Sequence, residues 1–356
     1  MHERASTWFH KRSSSWRDWP LDRLLDTKFR QDSRISLVIP ARDEAATIAD
    51  IVTGLRTALV KDAPLLDELV VIDSNSGDAT ATLAERAGAT VYRASDIVPE
   101  HGNHHGKGEA LWKSLFVTSG DLLVFVDADL TGWGPHFVTG LLGPLLTEPD
   151  TLLVRAAYTR LRTGADGSTS PDGGRVTELV ARPLLSLYWP ELAGVVQPLA
   201  GEWAARRSLM ESLSIPVGYG VELSTLVDTA SRYGLDAIAQ VHLGARAHRH
   251  RSDRDLALTA AELLVVADSR RHLPGGADSR RNVPGGAASA ELQQFLHDGD
   301  WVRPHARAVP TVERPPVVDV AGTGSGDAAG AGSGDAAGAG SDGDAGAGSD
   351  GERRTG

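Results

Sequence analysis

Short apolar runs alternate with amphipathic stretches through the first half of the chain. The apolar runs lie at residues 35–40, 68–73 and 89–93. Their β-branched and aliphatic residues are typical of strands buried on both faces of a sheet. Residues 45–59 and a segment ending at Ala87 have the apolar spacing of helices between these strands. The order predicts an α/β fold: a Rossmann-like, mostly parallel sheet flanked by helices.

One further strand, at residues 122–126, ends in two carboxylates, Asp127 and Asp129. Side chains two apart on an extended strand point to the same side. Two carboxylates there repel each other unless a cation lies between them, and Mg²⁺ or Mn²⁺ is the natural occupant. Open α/β sheets bind ligands at this edge. The alternative is a polar loop that caps a core strand.

The pattern divides the chain into five segments. We expect an N-terminal docking arm, a nucleotide-binding half, a second half of the same domain, an appendage and a disordered Gly/Ala/Ser/Asp tail, at residues 1–33, 34–150, 151–271, 272–316 and 317–356. Trp16, Trp19 and neighbouring leucines suggest a short docking helix in the arm. The tail has almost no side chain to bury. A near-duplication of residues 267–276 at 277–286 reads as a local repeat.

The composition argues against several classes of function and of binding partner. The formal net charge of -11 argues against nucleic-acid binding. The chain has no cysteine, which excludes disulfides and Cys-ligated zinc. No apolar stretch approaches the roughly 18 residues of a membrane span, and residues 1–30 lack an apolar signal core. These features predict a cytoplasmic protein without a membrane partner.

Two glycine-bearing turns are candidate anion sites. Gly106 and Gly108 bracket Lys107 before a helix expected at residues 110–118, and backbone N–H groups with one lysine suit a diphosphate. The histidines of this loop also allow a metal site or merely a polar loop. In the second turn, Gly174, Arg175 and Thr177 begin a helix expected at residues 179–187. They suit a small anion, although Thr177 is equally a local cap.

Two later segments carry charges without a settled role. Glu222 begins an apolar helix, where the helix dipole alone favours a carboxylate and a catalytic role is a rival. Residues 246–251 are dense in cations and follow a strand expected at residues 237–244. They indicate either a phosphate partner or a solvated turn, and neutral His248 is a possible metal ligand.

Together these motifs resemble the GT-A nucleotide-sugar glycosyltransferases, and most closely the actinobacterial glucosyl-3-phosphoglycerate synthases, a retaining family. The matching stretches run from Ser36 to about Arg251. The most specific are IPARDE, GKGEALW, DAD, GGRVTELVARP, GYGVE and RAHR, at residues 39–44, 106–112, 127–129, 173–183, 218–222 and 246–249.

The resemblance implies that residues 34–150 are a nucleotide-sugar-binding half and residues 151–271 an acceptor-binding half of one GT-A domain. It also implies roles for single residues. Residues implied to bind the nucleotide are Pro40, Ala41, Glu44, Ser74, Lys107, Asp127 and Arg246. Residues implied to bind 3-phosphoglycerate are Gly174, Arg175, Thr177 and His250. Asp129 and His248 are implied metal ligands, and Glu222, Asp129, Leu199 and Ala200 are implied to line the reaction centre. Three residues depart from the family pattern: Arg42 replaces a neutral residue, Ala200 a serine and His250 an asparagine.

The implied reaction moves glucose from UDP-glucose, or another NDP-glucose, to the 2-hydroxyl of 3-phosphoglycerate, with Mg²⁺ as cofactor. A homodimer is expected by resemblance only. One alternative is another GT-A transferase, either a mannosyl-3-phosphoglycerate synthase or an inverting enzyme acting on a lipid phosphate, which needs a carboxylate base. Another is a nucleotide-sugar-binding protein without catalysis.

Overall fold

The computed structural model describes residues 1–163, 169–170, 174–247, 252–271, 289–298 and 301–321. The helices α1–α11 in these parts are Glu3–Arg12, Leu21–Gln31, Ile48–Arg56, Thr80–Ala87, Lys107–Ser114, His136–Thr147, Arg182–Tyr188, Arg207–Ser212, Val221–Tyr233, Asp253–Arg271 and Val317–Ala321. The strands β1–β13 are Ser13–Ser15, Ile35–Ala41, Glu68–Asp73, Thr90–Arg93, Leu122–Phe125, Leu153–Thr163, Thr169–Ser170, Trp203–Arg206, Ile215–Pro216, Ile238–Ala247, Ser289–Asp298, Trp301–Pro310 and Glu313–Arg314.

The central sheet has the strand order β1-β10-β6-β8-β5-β2-β3-β4. Along this order the pairs are parallel except at β8, which lies antiparallel between β5 and β6. The short strand β7 also pairs antiparallel with the end of β6. This confirms the predicted α/β fold with a mostly parallel sheet. The sequence pattern does not predict β8, because its four residues follow a small-residue turn and are too few to show a strand periodicity. Helices cover both faces and form one core around Trp112 and Trp203 and another around Leu37 and Phe137.

The N-terminal arm is more structured than one short helix. Helix α1 buries Trp8, whose indole nitrogen donates a 2.9 Å hydrogen bond to the carbonyl of Ile238. The next residues form β1, which pairs in parallel with β10 and extends the sheet. The expected helix around Trp16 is instead a short 3-10 turn at Trp16–Asp18, and the α-helix follows at α2.

Several element boundaries differ from those predicted. Helix α5 begins at Lys107 and not at Ala110, so the lysine lies in its first turn. The helix expected at residues 179–187 consists of a π-helical turn, Thr177–Ala181, followed by α7. Strand β10 continues to Ala247, past a bulge between His242 and Ala245, so Arg246 belongs to a strand and not to a turn.

The boundary expected at residue 317, between the appendage and a disordered tail, does not agree with the structure. Strands β11 and β12 pair with each other in antiparallel, and β13 then pairs with β9 of the domain. Helix α11 lies inside the range expected to be disordered, and its Val317 joins the core. Polar residues with few apolar neighbours gave no sign of this docking. Residues 272–288, which carry most of the local repeat, and residues 322–356 lie outside the described residues.

Across the part of the chain that the structure describes, none of the helices combines the length and apolar content that crossing a bilayer requires.

Trp8→Ala should lower the free energy of unfolding by about 3–5 kcal/mol, because it leaves a cavity and removes the bond to Ile238. The measurement is urea unfolding followed by circular dichroism. Phe29→Ala is the matched control: Phe29 is 87% exposed, so its loss should change stability by no more than about 0.5 kcal/mol. Equal effects of the two substitutions would contradict docking of the arm.

Candidate active site

The two carboxylates after β5 converge on one guanidinium. The strand ends at Phe125, so Asp127 and Asp129 lie in the following turn and not on an extended strand as predicted. They meet nonetheless, because Arg246 Nη2 lies 3.3 Å from Asp127 Oδ2 and 3.5 Å from Asp129 Oδ1. Gly201 also packs here, and a Cβ at that position would overlap the Asp127 carboxylate.

Lys107 joins this pair to α9. Its ammonium lies 2.5 Å from Asp127 Oδ1 and 2.7 Å from Glu222 Oε1. Burial opposes the lysine charge, but Asp127 and then Glu222 outweigh it and raise the pKa of Lys107. Burial would likewise raise the pKa of Asp127, yet Lys107 and Arg246 hold that pKa well below its usual range. The cations Lys107 and Arg246 and the carboxylate of Asp127 therefore keep one another in the charged form.

Two of the backbone N–H groups that were predicted to bind a diphosphate at the start of α5 are bonded within the protein. The N–H groups of Gly108 and Glu109 donate to the carbonyls of Gly218 and Val217, at 3.1 and 2.9 Å. A Cβ at either Gly106 or Gly108 would overlap the backbone of that same turn. These glycines therefore allow two site segments to pack closely, and the N–H groups of Gly108 and Glu109 are already used. The ammonium of Lys107 stays a predicted diphosphate contact.

Arg246 is held from behind by two residues that the sequence analysis did not assign. Its Nη1 donates to Glu202 Oε2 at 3.0 Å and to the hydroxyl of Tyr158 at 2.9 Å. Burial raises the pKa of Glu202, and the positive charge of Arg246 offsets part of that rise. The only sequence signal was a carboxylate in an otherwise apolar stretch, Gly201-Glu202-Trp203.

Arg155, also missed, connects the turn around Leu199 and Ala200 to Glu222. It lies in β6 and is fully buried, and its Nη2 donates to the carbonyls of Pro198 and Glu222, at 2.6 and 3.0 Å. Burial lowers its pKa to about 10. An arginine inside an apolar strand gives no pattern from which such a partner could be read.

The implied nucleotide turn adjoins the carboxylates. Pro40 and Ala41 end β2, and the Ser74 N–H donates to the Ala41 carbonyl at 2.8 Å. The hydroxyl of Thr47 donates to the carbonyl of Ala128, between the two aspartates, at 2.6 Å. Glu44 begins this connection, its N–H bonded to the Thr80 hydroxyl. Arg42 is exposed and lies 3.3 Å from His105.

The implied acceptor residues are only partly described. Gly174 adopts a positive φ of 89°, and Arg175 forms an ion pair with Asp253 at the start of α10. The Thr177 hydroxyl is buried and has no hydrogen-bond partner among the described residues. A buried hydroxyl without a partner is unfavourable, which suits a ligand site. His248 and His250 lie outside the described residues.

A divalent ion fits the Asp129 carboxylate. Mg²⁺ and Mn²⁺ prefer such oxygen ligands, and the contact with Arg246 indicates that positive charge is favoured at this point. The described residues contain no group of three or more His, Cys, Asp or Glu side chains arranged around one point. Asp129 therefore provides one protein ligand, and further ligands have to come from bound substrate, water or residues outside the described part.

Glu262 supports the turn that carries Glu222. Its carboxylate accepts a hydrogen bond from the backbone N–H of Tyr219 and packs against Gly218, where a Cβ would overlap it. Burial, reinforced by the charge of Glu222, raises the pKa of Glu262 to about 7. The folded protein therefore binds a proton more tightly here than the unfolded chain, whose glutamate pKa is about 4.3.

Because Glu262 keeps its proton longer in the folded state, its contribution to stability should fall as the pH rises from about 4.3 to 7. Glu262→Gln cannot ionise and retains an acceptor for Tyr219. Relative to wild type, this variant should gain about 2–3 kcal/mol in unfolding free energy between pH 5 and 8. Urea unfolding across this range measures the gain. Asp268→Asn, an exposed change on the same helix, should show none, and a flat Glu262→Gln difference would refute the prediction.

Known proteins provide a comparison for this geometry. A model of glycosyl transferase family 2 matches residues 36–185. The chain is 46% identical over 247 residues to the glucosyl-3-phosphoglycerate synthase of Petrotoga mobilis, an alignment that covers 69% of this chain and 76% of the relative. Against the Mycobacterium tuberculosis enzyme of that name, identity is 45% over 290 residues, covering 80% and 85%.

Crystal structures of the Mycobacterium tuberculosis synthase share the fold. A complex with Mn²⁺, UDP-glucose and phosphoglyceric acid has a TM-score of 0.74 and 40% identity, covering 87% of this chain and 99% of that one. A complex with Mg²⁺ and UDP has a TM-score of 0.73 and 42% identity, covering 85% and 96%. With its GT-A-like sheet and the carboxylates at its edge, this chain belongs to the glucosyl-3-phosphoglycerate synthase family.

Proposed function

We propose that the protein transfers glucose from UDP-glucose to the 2-hydroxyl of 3-phosphoglycerate and releases UDP. The observation that carries the proposal is the cluster of Lys107, Asp127, Asp129 and Arg246 at the carboxyl edge of the sheet. Buried cations poised beside a potential metal ligand suit a diphosphate leaving group. Family membership then favours UDP-glucose and 3-phosphoglycerate, because related structures hold UDP-glucose with phosphoglyceric acid.

On the donor side, Pro40, Ala41, Glu44 and Ser74 form the wall of the proposed uridine pocket. Lys107 and Arg246 face the diphosphate, and Asp127 fixes both cations through its two oxygens. Asp129 holds Mg²⁺ or Mn²⁺, with His248 proposed as a second protein ligand. The metal supplies positive charge that stabilises the departing UDP.

On the acceptor side, Gly174, Arg175 and Thr177 bind 3-phosphoglycerate, with His250 proposed nearby. Arg175 now pairs with Asp253, whose side chain is largely exposed. Such a surface pair contributes little to stability, so the phosphate or carboxylate of the acceptor can replace Asp253 at the guanidinium. The partnerless hydroxyl of Thr177 gains a hydrogen bond at the same time.

The reaction centre lies between Glu222 and the turn of Leu199 and Ala200, which Arg155 ties together. We propose transfer with retention of anomeric configuration. Glu222 accepts from the Lys107 ammonium at 2.7 Å, which favours a role in orienting sugar hydroxyls over that of a base that deprotonates the acceptor. In a retaining reaction the leaving phosphate can take that proton on the same face.

We further propose a cytoplasmic homodimer that binds neither nucleic acid nor membrane. Its two proposed substrates are charged metabolites, and the acidic net charge of -11 disfavours polyanions. Light scattering coupled to size-exclusion chromatography tests the dimer directly, because a single species at the mass of one chain would refute it.

The decisive assay incubates the protein with Mg²⁺, 3-phosphoglycerate and, separately, UDP-glucose, GDP-glucose and GDP-mannose. We expect UDP release from UDP-glucose and an α-linked product, read from its anomeric coupling by NMR. Asp129→Asn should lower kcat by at least about a hundredfold, because the metal loses its carboxylate. Asp121→Asn, which changes an exposed aspartate at the opposite end of β5, should keep wild-type activity.

Other outcomes select the alternatives. Turnover of GDP-mannose would indicate a mannosyl transferase, and a β-linked product would indicate inversion with a carboxylate base. UDP binding without turnover of any donor would leave a nucleotide-sugar-binding protein, or a transferase with a different acceptor.

Arg175→Gln should raise the KM for 3-phosphoglycerate about 10- to 100-fold with little change in the KM for UDP-glucose, because a charge-assisted, bidentate contact is lost. Asp253→Asn should instead leave the acceptor KM unchanged or lower it, since the competing carboxylate is neutralised. Steady-state kinetics with each substrate varied measure both. Arg254→Gln, at the adjacent exposed position, is the control, and an equal rise there would argue against the assigned site.

A further inference from the structure

Residues 309–321, here called the C-terminal strap, pack against the elements that carry the site. Val309 and Val317 are buried in the domain. Between them, Glu313 and Arg314 pair with Ile215 and Pro216, and the Val217 N–H donates to the Val312 carbonyl at 3.1 Å. The strap thus binds the turn whose carbonyls receive the first N–H groups of α5.

Arg314 extends from the strap to Glu109 in the first turn of α5. Its Nε lies 2.7 Å from Glu109 Oε2 and its Nη2 lies 2.6 Å from Oε1, which is a bidentate pair. Both side chains are buried. The guanidinium also stacks 4.8 Å from the ring centre of Trp112, whose indole nitrogen donates to the Pro315 carbonyl at 2.8 Å.

The same guanidinium holds the loop that leads into α5. Its Nη1 donates to the His101 carbonyl at 2.7 Å and its Nη2 to that of Gly102 at 3.3 Å. Glu109 Oε1 in turn accepts from the His104 N–H at 3.2 Å. Arg314 therefore fixes both the loop before Lys107 and the helix turn that contains it.

Glu109 depends on this partner. Burial would raise its pKa, but the hydrogen bonds and charge of Arg314 hold that pKa below its ordinary value. The other nearby cation, Lys113, is more distant, at 3.5 Å from Oε1. Without Arg314, a buried carboxylate two residues after Lys107 loses its bidentate partner, and the first turn of α5 has to move or take up water.

We infer that Arg314 is a positioning residue for nucleotide binding, acting through Glu109 on Lys107. The inference rests on the proposed function, because it requires that Lys107 faces the diphosphate of UDP. Arg314 itself lies behind α5, and its contacts within the described residues do not include a proposed ligand residue. Through Glu109 and the first turn of α5, Arg314 fixes the position of the Lys107 ammonium between Asp127 and Glu222.

The test measures UDP binding in the presence of Mg²⁺ by isothermal titration calorimetry, so no turnover is needed. Arg314→Met should raise the Kd for UDP about 10- to 100-fold, the range typical of residues that orient ligand-binding groups. Glu109→Gln should do the same. The double variant should weaken binding no more than the worse single variant, because both changes break one interaction.

Arg270→Met is the matched control. Arg270 is as buried as Arg314 and binds the same strap through Glu313, at 2.7 Å, but its other partner is Asp228 on α9. This variant should lose thermal stability while retaining the wild-type Kd for UDP. If Arg314→Met does not fold, Arg314→Lys provides the test, since lysine reaches one Glu109 oxygen but not the fork of partners, and its Kd should rise severalfold.

The possible outcomes distinguish a failure of this inference from a failure of the proposed function. An unchanged Kd in Arg314→Lys and Glu109→Gln would show that the strap acts on stability alone and would overturn the inference. An equal rise in Arg270→Met would also overturn it, because any loosening of the strap would then weaken binding without a specific role for the Arg314–Glu109 pair. If wild-type protein does not bind UDP, the proposed function fails and the inference fails with it. A rise confined to the Arg314 and Glu109 variants supports it.

Discussion

The ion pairs of Lys107 with Asp127 and Glu222 are the interaction on which the site depends. They join three segments that are distant in sequence: the start of α5, the end of β5 and the first turn of α9. A buried ion pair is stable only when each charge keeps its partners. Here Arg246 completes Asp127, and Glu202 and Tyr158 complete Arg246. Each ionised group is therefore placed by another.

This chain of charges explains several features around it. Glycines occur at residues 106, 108 and 201 because the neighbouring backbone or carboxylate approaches too closely for a Cβ. Strand β10 extends past its bulge, which carries Arg246 to the carboxylates. Behind the first turn of α5, the Arg314–Glu109 pair fixes the same helix from the opposite side. The site is thus built from close packing and paired charges before any ligand binds.

The acceptor side is organised differently. Arg175 pairs with an exposed aspartate, and Thr177 has a buried hydroxyl without a partner in the described part of the chain. An exposed ion pair costs little to exchange, and an unsatisfied hydroxyl gains a hydrogen bond when a ligand arrives, so both suit a ligand that binds and leaves. The donor side, by contrast, already has its cations in place. Preorganised charge is what a leaving diphosphate requires.

The sequence by itself determined the fold class, the carboxylate edge and most of the residues that meet there. Apolar runs ending in Asp73 and Asp127 gave β3 and β5, because a parallel strand buried on both faces has a continuous apolar pattern. Family motifs singled out Lys107, Arg246 and Glu222.

Only the tertiary structure decided which residues support these side chains from behind. Arg155, Glu202, Glu262 and Arg314 are single charged residues with no local pattern, and their partners are tens to hundreds of residues away. It also showed that the N–H groups of Gly108 and Glu109 are used internally, because they donate to the carbonyls of Gly218 and Val217. Local periodicity reports which face of an element is buried, whereas the pairing of buried charges is fixed only when distant elements pack together.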